Sequence, residues 1–403
     1  MARCRVDKSI QRVEVEGFAF PLGAYPVEEM SPLAGYTVAF EQADGGEPGI
    51  ESGSGFEPSE GVGEGPRGGG GFTADDDDED DEGGLQSGSS GGGEGEWEEW
   101  PDRYVYDVLV SATRVEALCR VLFSLLPGRV YPILDFLGTD EFREVDPYVS
   151  YDLLGLDRIL DTIRRYRGFF FEDGLVGFGA MSEEPFMYIF VDEHKIVTVR
   201  AESSLKERVE SVLRAFDLEE VDEIRGADAA THEHRGVLEA PPERLDLFTA
   251  EEIVEELRDD WRLVLNIDPT TNIDEDENPL GITPWRCIVR HEPLPAADAP
   301  PNTEPPPYRY AEVLLTADSL NAAEDLALDA LDQLLGKSGA LEDRGPAEEE
   351  EADPTVLEMT PATVVVSDRL RPETFGAALE RVSKPVPPMD LVQIVQTSWI
   401  SPV

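Results

Sequence analysis

Residues 169–199 read FFFEDGLVGFGAMSEEPFMYIFVDEHKIVTV and hold four short apolar runs, Phe169 to Phe171, Leu175 to Ala180, Phe186 to Val191 and Ile196 to Val199. Runs of this length, broken by Gly, Asp and Glu at roughly 8- to 12-residue spacing, are the pattern of an antiparallel meander. The chain on either side of them is helical in period. Upstream, Leu156, Leu160 and Ile163 share one face of a helix from about Leu153 to Tyr166, as Leu118, Val121, Leu122 and Leu125 do between Val115 and Leu126. Tyr104 to Leu109 and Val130 to Phe136 read as strands, and downstream Ser204 with Glu207 predicts a capping box on a helix from Leu205 to Phe216. Strands that pair in sequence, with helices grouped between them, predict an α+β fold, because a doubly wound parallel sheet would alternate throughout.

The remainder repeats the theme more loosely. Thr249 with Glu252 forms a capping-box pattern ahead of Ala250 to Leu257, followed by strand patterns at Trp261 to Ile267, Trp285 to Val289 and Tyr308 to Leu315. Asp318 or Ser319 caps an amphipathic helix to Leu335, Thr363 to Val366 reads as a strand, Pro372 opens a helix before Phe375 to Val382, and Leu391 to Val395 reads as a sheet edge. The expected organisation is two globular α+β halves, residues 101–240 and 241–403, with mainly antiparallel sheets and packed helices. A strand-forming segment, residues 1–40, supplies a strand or two to a distant sheet. Residues 41–100 form an insert, and the second half carries a Pro-rich loop at 293–307 and an acidic one at 337–354.

Charge separates the insert from the rest. The 403 residues carry 86 Asp and Glu against 33 Lys and Arg, a net charge of −53, and residues 41–100 alone hold 19 acids, one base and 19 of the 36 glycines. Such a segment, with its acid run Asp75 to Glu82, cannot bury enough apolar surface to offset its ordering entropy and reads as a disordered Gly/Asp/Glu-rich linker. The remaining surface is acidic too, and its self-repulsion eases as the Debye length falls from ~10 Å at 0.1 M salt to ~3 Å at 1 M. That composition suits a saline cytoplasm. The ratio of 5 Lys to 28 Arg fits salt adaptation and equally an Arg-favouring genome. Nucleic acid is not an expected partner, since a duplex presents a charge every ~1.7 Å. No apolar stretch reaches the ~18 residues of a membrane span, and Met1 to Val15 is charged instead of forming an apolar signal core, so a cytoplasmic chain without membrane contact is expected. Cys4, Cys119 and Cys287 lie far apart, without the spacing of a disulfide framework or zinc knuckle, and no cofactor motif is present.

Motifs that carry chemistry are few. Gly336-Lys337-Ser338 has the ending of a phosphate loop, but Leu331 stands where the first glycine is required, and the motif follows a helix, so it reads as a C-cap. Arg164 to Phe171 is basic and aromatic, which the end of a helix and the start of a buried strand explain. His232-Glu233-His234 is the paired-histidine signal. Imidazoles two apart share a metal in extended chain, yet Gly226 to Gly236 reads as a polar loop, and a catalytic zinc wants a third protein ligand from elsewhere. His194, in Asp192-Glu193-His194-Lys195, reads as a hairpin tip. In the loop from Asp268 to Gly281, Asp274, Asp276 and Asn278 alternate oxygen donors suited to a hard cation. Counted from Asp274, however, Pro279 and Trp285 stand where an EF-hand needs Gly and Glu, so a solvated acidic loop is the plainer reading. Asp135 at a strand end, with Asp140, Glu141 and Glu144 in the next loop, is the candidate acid/base or metal-assisted site.

Three functional classes follow, in order: a noncatalytic module that binds an unidentified protein partner or itself, a carboxylate-based or metal-assisted enzyme near Asp135, and a cation-stabilised structural protein. The absence of a catalytic motif sets that order. Limited proteolysis is expected to cut first within residues 45–98, which hold 16 acids. A chain lacking them is expected to melt within about 4 °C of the full chain, a difference on the order of 1 kcal/mol, and a larger drop contradicts the linker reading.

Overall fold

The computed structural model describes residues 4–43, 101–239, 244, 246–293, 307–342, 361–382 and 384–400, with only the backbone of 337–342. The chain up to Glu41 and from Arg103 onward clusters as one compact unit; the other unit, Gln42–Asp102, lies almost wholly outside the described residues. The expected disordered insert and most of the loops at 293–307 and 337–354 lie outside them too.

The elements run, in order, β1 (Glu14–Val15), β2 (Phe18–Ala19), β3 (Ala24–Pro26), β4 (Gly35–Glu41), β5 (Arg103–Leu109), α1 (Ala112–Phe123), β6 (Arg129–Leu137), β7 (Val145–Val149) and β8 (Leu154–Gly155). There follow α2 (Leu156–Arg165), α3 (Arg167–Glu172), β9 (Val176–Ser182), β10 (Met187–Val191), β11 (Val197–Glu202), α4 (Lys206–Ala215), β12 (His232–His234), α5 (Ala250–Trp261) and β13 (Val264–Leu265). The chain closes with β14 (Thr283–His291), β15 (Arg309–Ala317), α6 (Leu320–Glu342), β16 (Ala362–Arg369), α7 (Pro372–Arg381) and β17 (Gln393–Trp399). A nine-stranded sheet takes the order β13-β7-β6-β9-β10-β11-β5-β4, with β8 beside β6, and a four-stranded sheet takes the order β16-β14-β15-β17. Every neighbouring pair is antiparallel, so the fold is α+β.

The meander β9–β10–β11 forms as its apolar runs predict, and its alternation selects the faces. Val176, Phe178 and Ala180, then Met187, Ile189 and Val191, then Val197 and Val199, turn one face toward Leu118, Leu122, Ile159, Val209 and Leu257 of the covering helices. Each such side chain, fully buried, contributes roughly 1.5–3 kcal/mol. Residues 10–40 supply β4 to the edge of this sheet, as expected, in register with β5 from Gly35↔Leu109 to Glu41↔Arg103. The second sheet packs Trp285, Cys287 and Val313 on α6, and Leu314 with Leu370 on Phe375 and Leu379 of α7.

Several local expectations are corrected. Phe169 to Phe171 lie in helix α3, not a strand; all three are buried, and a short apolar run has the same appearance in either element. Trp261 ends α5 instead of opening a strand, because Arg262 turns left-handed at φ 54°, and the strand shrinks to β13. The Thr249–Glu252 capping box forms, with Glu252 N donating to Thr249 Oγ1 at 3.2 Å and Thr249 N to Glu252 Oε2 at 2.9 Å. The Ser204–Glu207 box does not form: Ser204 donates to Glu202 and a 3₁₀ turn opens α4. Helix α6 runs on through Gly336 and Lys337.

The two cores meet at a buried ion pair. Arg369 of β16 places Nε and Nη2 3.0–3.1 Å from the Asp140 carboxylate, which also accepts from the Arg369 amide at 2.8 Å. Arg369 Nη1 reaches Asn272 Oδ1 at 3.3 Å and donates to Ile273 O. Removing one partner of such a pair leaves the other charge buried, a loss of about 3–5 kcal/mol. Beside it, Thr139 donates to buried Asp368, whose carboxyl rises from 3.8 to about 6 because burial penalises its charge, with Asp146 and Asp140 adding to the rise. Folded protein therefore holds this proton more tightly than unfolded chain. The associated stability is complete below about pH 4 and is lost as pH rises through about 6. Denaturant titrations from pH 4 to 7 are expected to show that decline in the parent chain and a shallower one in Asp368→Asn; parallel profiles would show that Asp368 does not carry it.

Candidate metal centre

The hairpin joining β10 to β11 is tightly closed. Asp192 N donates to Ile196 O at 3.1 Å, Ile196 N to Asp192 Oδ1 at 2.7 Å, and Lys195 N to Asp192 O at 3.1 Å. Lys195 takes φ 67° and sinks its side chain into the fold, where Nζ donates to Val176 O of β9 at 2.6 Å. Burial pulls its ammonium down to about 8, against the pull of Asp173 and Asp192. An inward Lys195 anchors the turn, and the preceding residue, His194, is held half-buried at its tip.

A second ribbon meets this tip. β12 pairs antiparallel with β3 through His232↔Pro26, Glu233↔Tyr25 and His234↔Ala24. Residues two apart on a strand share a face, so both imidazoles project together and Glu233 projects oppositely, where it accepts from Tyr25 Oη at 2.6 Å. The ribbon is fixed at a backbone crossing: Arg235 N donates to Gly23 O at 2.8 Å, Gly174 N to Arg235 O at 3.2 Å, and Gly23 N to Glu172 O at 2.8 Å. A Cβ on Gly174 would lie 1.9 Å from Gly23 O, and one on Gly23 2.0 Å from Gly174 N, so both positions require glycine. Asp173 ties the crossing down by accepting from Leu175 N at 3.0 Å and Val237 N at 2.9 Å.

Three of the four histidines converge here. The ring centroids of His194, His232 and His234 are 4.7, 4.8 and 4.9 Å apart, with interplanar angles of 72°, 75° and 77°. Nε2 of His194 lies 3.0 Å from Nε2 of His232, and each ring offers a ligand atom within 4.8 Å of the others. A tetrahedral ion with Zn–N bonds of ~2.0–2.1 Å holds its nitrogens roughly 3.3 Å apart.

The far nitrogens decide the tautomers. His232 Nδ1–H donates to Ala230 O and His234 Nδ1–H to Gly174 O, both at 2.8 Å. His194 Nδ1 faces Asp192 Oδ2 and Glu193 Oε1, each at 3.4 Å. Carbonyls only accept, so His232 and His234 carry a proton on Nδ1, and Nε2 of His232 meets Nε2 of His194 at 3.0 Å. Nδ1 partners of this kind orient the histidine ligands of metals. Burial lowers the His234 pKa, against the hydrogen bond to the Gly174 carbonyl. Burial also opposes charge on His194, but Asp192, with Glu193 and Asp228, outweighs it and raises the pKa.

The structure thus corrects the reading of 226–236 as a loop without strand character: His232–His234 is a strand, and a third imidazole meets it from the hairpin tip. Alternation of His232 and His234, with a lone histidine at a predicted turn, was the sequence signal; only tertiary contact joins the two. The other candidates are engaged separately. Asp135 is half-buried in β6 opposite Gly177 and Pro147, and burial, joined by the charge of Glu193, pushes its carboxyl up to about 7. Asp140 holds Arg369, Glu141 accepts from Arg371 N and from Thr374 Oγ1 at 2.8 Å, and the Glu144 amide donates to Glu275 at 2.6 Å. Asp274 Oδ1 accepts from Asp276 N at 3.0 Å and from Asn278 N and Nδ2 at 2.8 and 3.2 Å, which occupies that oxygen within its own loop. His291 is buried at the end of β14 beside Trp399. No helix among the described residues is long and apolar enough to cross a membrane. No family model, curated protein or solved structure matches this chain.

Proposed function

We propose that this protein binds one divalent transition-metal ion of the zinc class through Nε2 of His194, His232 and His234. The observation that supports the reading is the convergence of three imidazoles, each offering a ring nitrogen within 4.8 Å of the others, with an acceptor beside each Nδ1. An all-imidazole donor set suits zinc, copper, nickel or iron, whereas magnesium and calcium prefer oxygen ligands. The partner-binding and Asp135-centred readings have no comparable gathering of side chains among the described residues.

Calorimetric titration of chelator-treated full chain with Zn²⁺ is expected to show about one equivalent bound with Kd on the order of a micromolar or tighter, some 8 kcal/mol or more. His194→Ala, His232→Ala and His234→Ala should each weaken binding by at least ~100-fold, beyond the 10- to 100-fold typical of losing an outer partner. His291→Gln should leave it unchanged. Equal affinity in the parent chain and in a chain lacking all three cluster histidines would refute the proposal.

A further inference from the structure

A groove opens between the β1–β2 hairpin and the chain that follows β3, with a volume of about 590 Å³, inside the ~300–1,000 Å³ range of pockets that hold ligands. Val13 and Val15 give it one apolar wall, and Pro26, Val27 and Met30 the other. Val27 is 49% exposed there. Both walls are fixed by the fold. Glu16 at φ 52° and Gly17 at φ 86° make the two-residue turn of the hairpin, and Phe20 N donates to Val13 O at 3.0 Å. Arg12 anchors that hairpin, donating to Phe20 O at 2.7 Å and pairing with Glu172 at 2.7 Å. On the other wall Pro26 pairs with His232 across the ribbon, and Val27 N donates to Thr231 O at 2.9 Å.

Three exposed carboxylates, Glu16, Glu28 and Glu29, border this groove, and no Lys or Arg among the described residues lines it. None of the three makes a hydrogen bond or ion pair among the described residues. Acids of the neighbouring chain are engaged by contrast: Glu172 holds Arg12, Glu233 accepts from Tyr25, and Glu239 pairs with Arg5 at 2.6 Å. We propose that the groove docks a basic segment of a partner protein, in which arginine or lysine stands beside an apolar side chain. Charge complementarity selects that occupant. The stems of Lys and Arg are apolar and their heads are charged, so the stems cover Val13, Val15 and Met30 while the heads reach the carboxylates at the rim. Those carboxylates stand on both walls, Glu16 on one and Glu28 with Glu29 on the other, so charges spaced along a chain meet them together where a single amine meets one. An apolar side chain of the same segment covers exposed Val27. The surface lies apart from the histidine rings, and docking there needs no ion.

Fluorescence anisotropy of a labelled peptide alternating arginine and leucine, titrated with chelator-treated full chain, tests this. At about 0.15 M KCl a Debye length of ~8 Å screens the general field of the acidic surface. Saturable binding to the parent chain is expected. The combined Glu16→Gln, Glu28→Gln and Glu29→Gln variant should weaken it at least ~10-fold, because charges that meet across a contact act beyond the general field. Glu373→Gln, Glu380→Gln and Asp390→Asn together change the net charge equally and should leave it within about twofold. Val27→Ser should weaken binding of the leucine peptide and leave its serine-for-leucine counterpart unaffected. Equal losses in the two triple variants would reduce the attraction to the general field and overturn the proposal. Equal affinity for the leucine and serine peptides would overturn the apolar contact, and displacement by spermidine as readily as by unlabelled peptide would overturn the peptide occupant.

Discussion

The backbone crossing of Gly23 and Gly174 is the constraint on which the rest of the site depends. No side chain fits at either position, so two distant segments pass at carbonyl contact. That contact carries the β3–β12 ribbon to the start of β9, and the Gly174 carbonyl at the crossing is the group that orients His234. The meander supplies the other side. Lys195 reaches back to the Val176 carbonyl, two residues from the crossing, and so fixes the hairpin that holds His194 at its tip. Both sides of the histidine cluster are thus referenced to one short piece of backbone, residues 174–176, which allows residues 38 apart in sequence to bring ring nitrogens within 3.0 Å.

Polar groups elsewhere in the fold show by contrast what makes this cluster a site. Asp274 is surrounded by amides of its own loop, which donate to its carboxylate. Asp140 is saturated by Arg369, and the pair serves to join the two sheets, at the desolvation cost that attends any buried charge. In both places the donors and acceptors cancel. At the histidine cluster an acceptor lies beside each Nδ1, and ring nitrogens of all three residues gather within 4.8 Å of one another.

Much of the fold was legible in the sequence because it is written in short-range pattern. The alternation of β9 to β11, the helical faces of α1 and α2 and the Thr249–Glu252 box depend on residues within a few positions of one another. What was misread depended on context. Phe169 to Phe171 are apolar enough for strand or helix, and packing against the core chose helix. Ser204 donates its hydroxyl to Glu202 instead of accepting from the amides a cap would satisfy. The histidine cluster was half legible. His232 and His234 stand at strand spacing, but their strand exists only because residues 24–26 pair with it, and that partner lies more than 200 residues away. Glycine at 23 and 174 gave no local sign of a crossing, since glycine also suits ordinary turns.

X-ray absorption at the zinc edge, on full chain carrying one equivalent of the metal, addresses the central claim most directly. The account predicts nitrogen or oxygen donors at about 2.0–2.1 Å, with the outer-ring scattering of three imidazoles. A shell made of carboxylate oxygens without imidazole scattering, or one containing sulfur at about 2.3 Å, would place the ion elsewhere and contradict it.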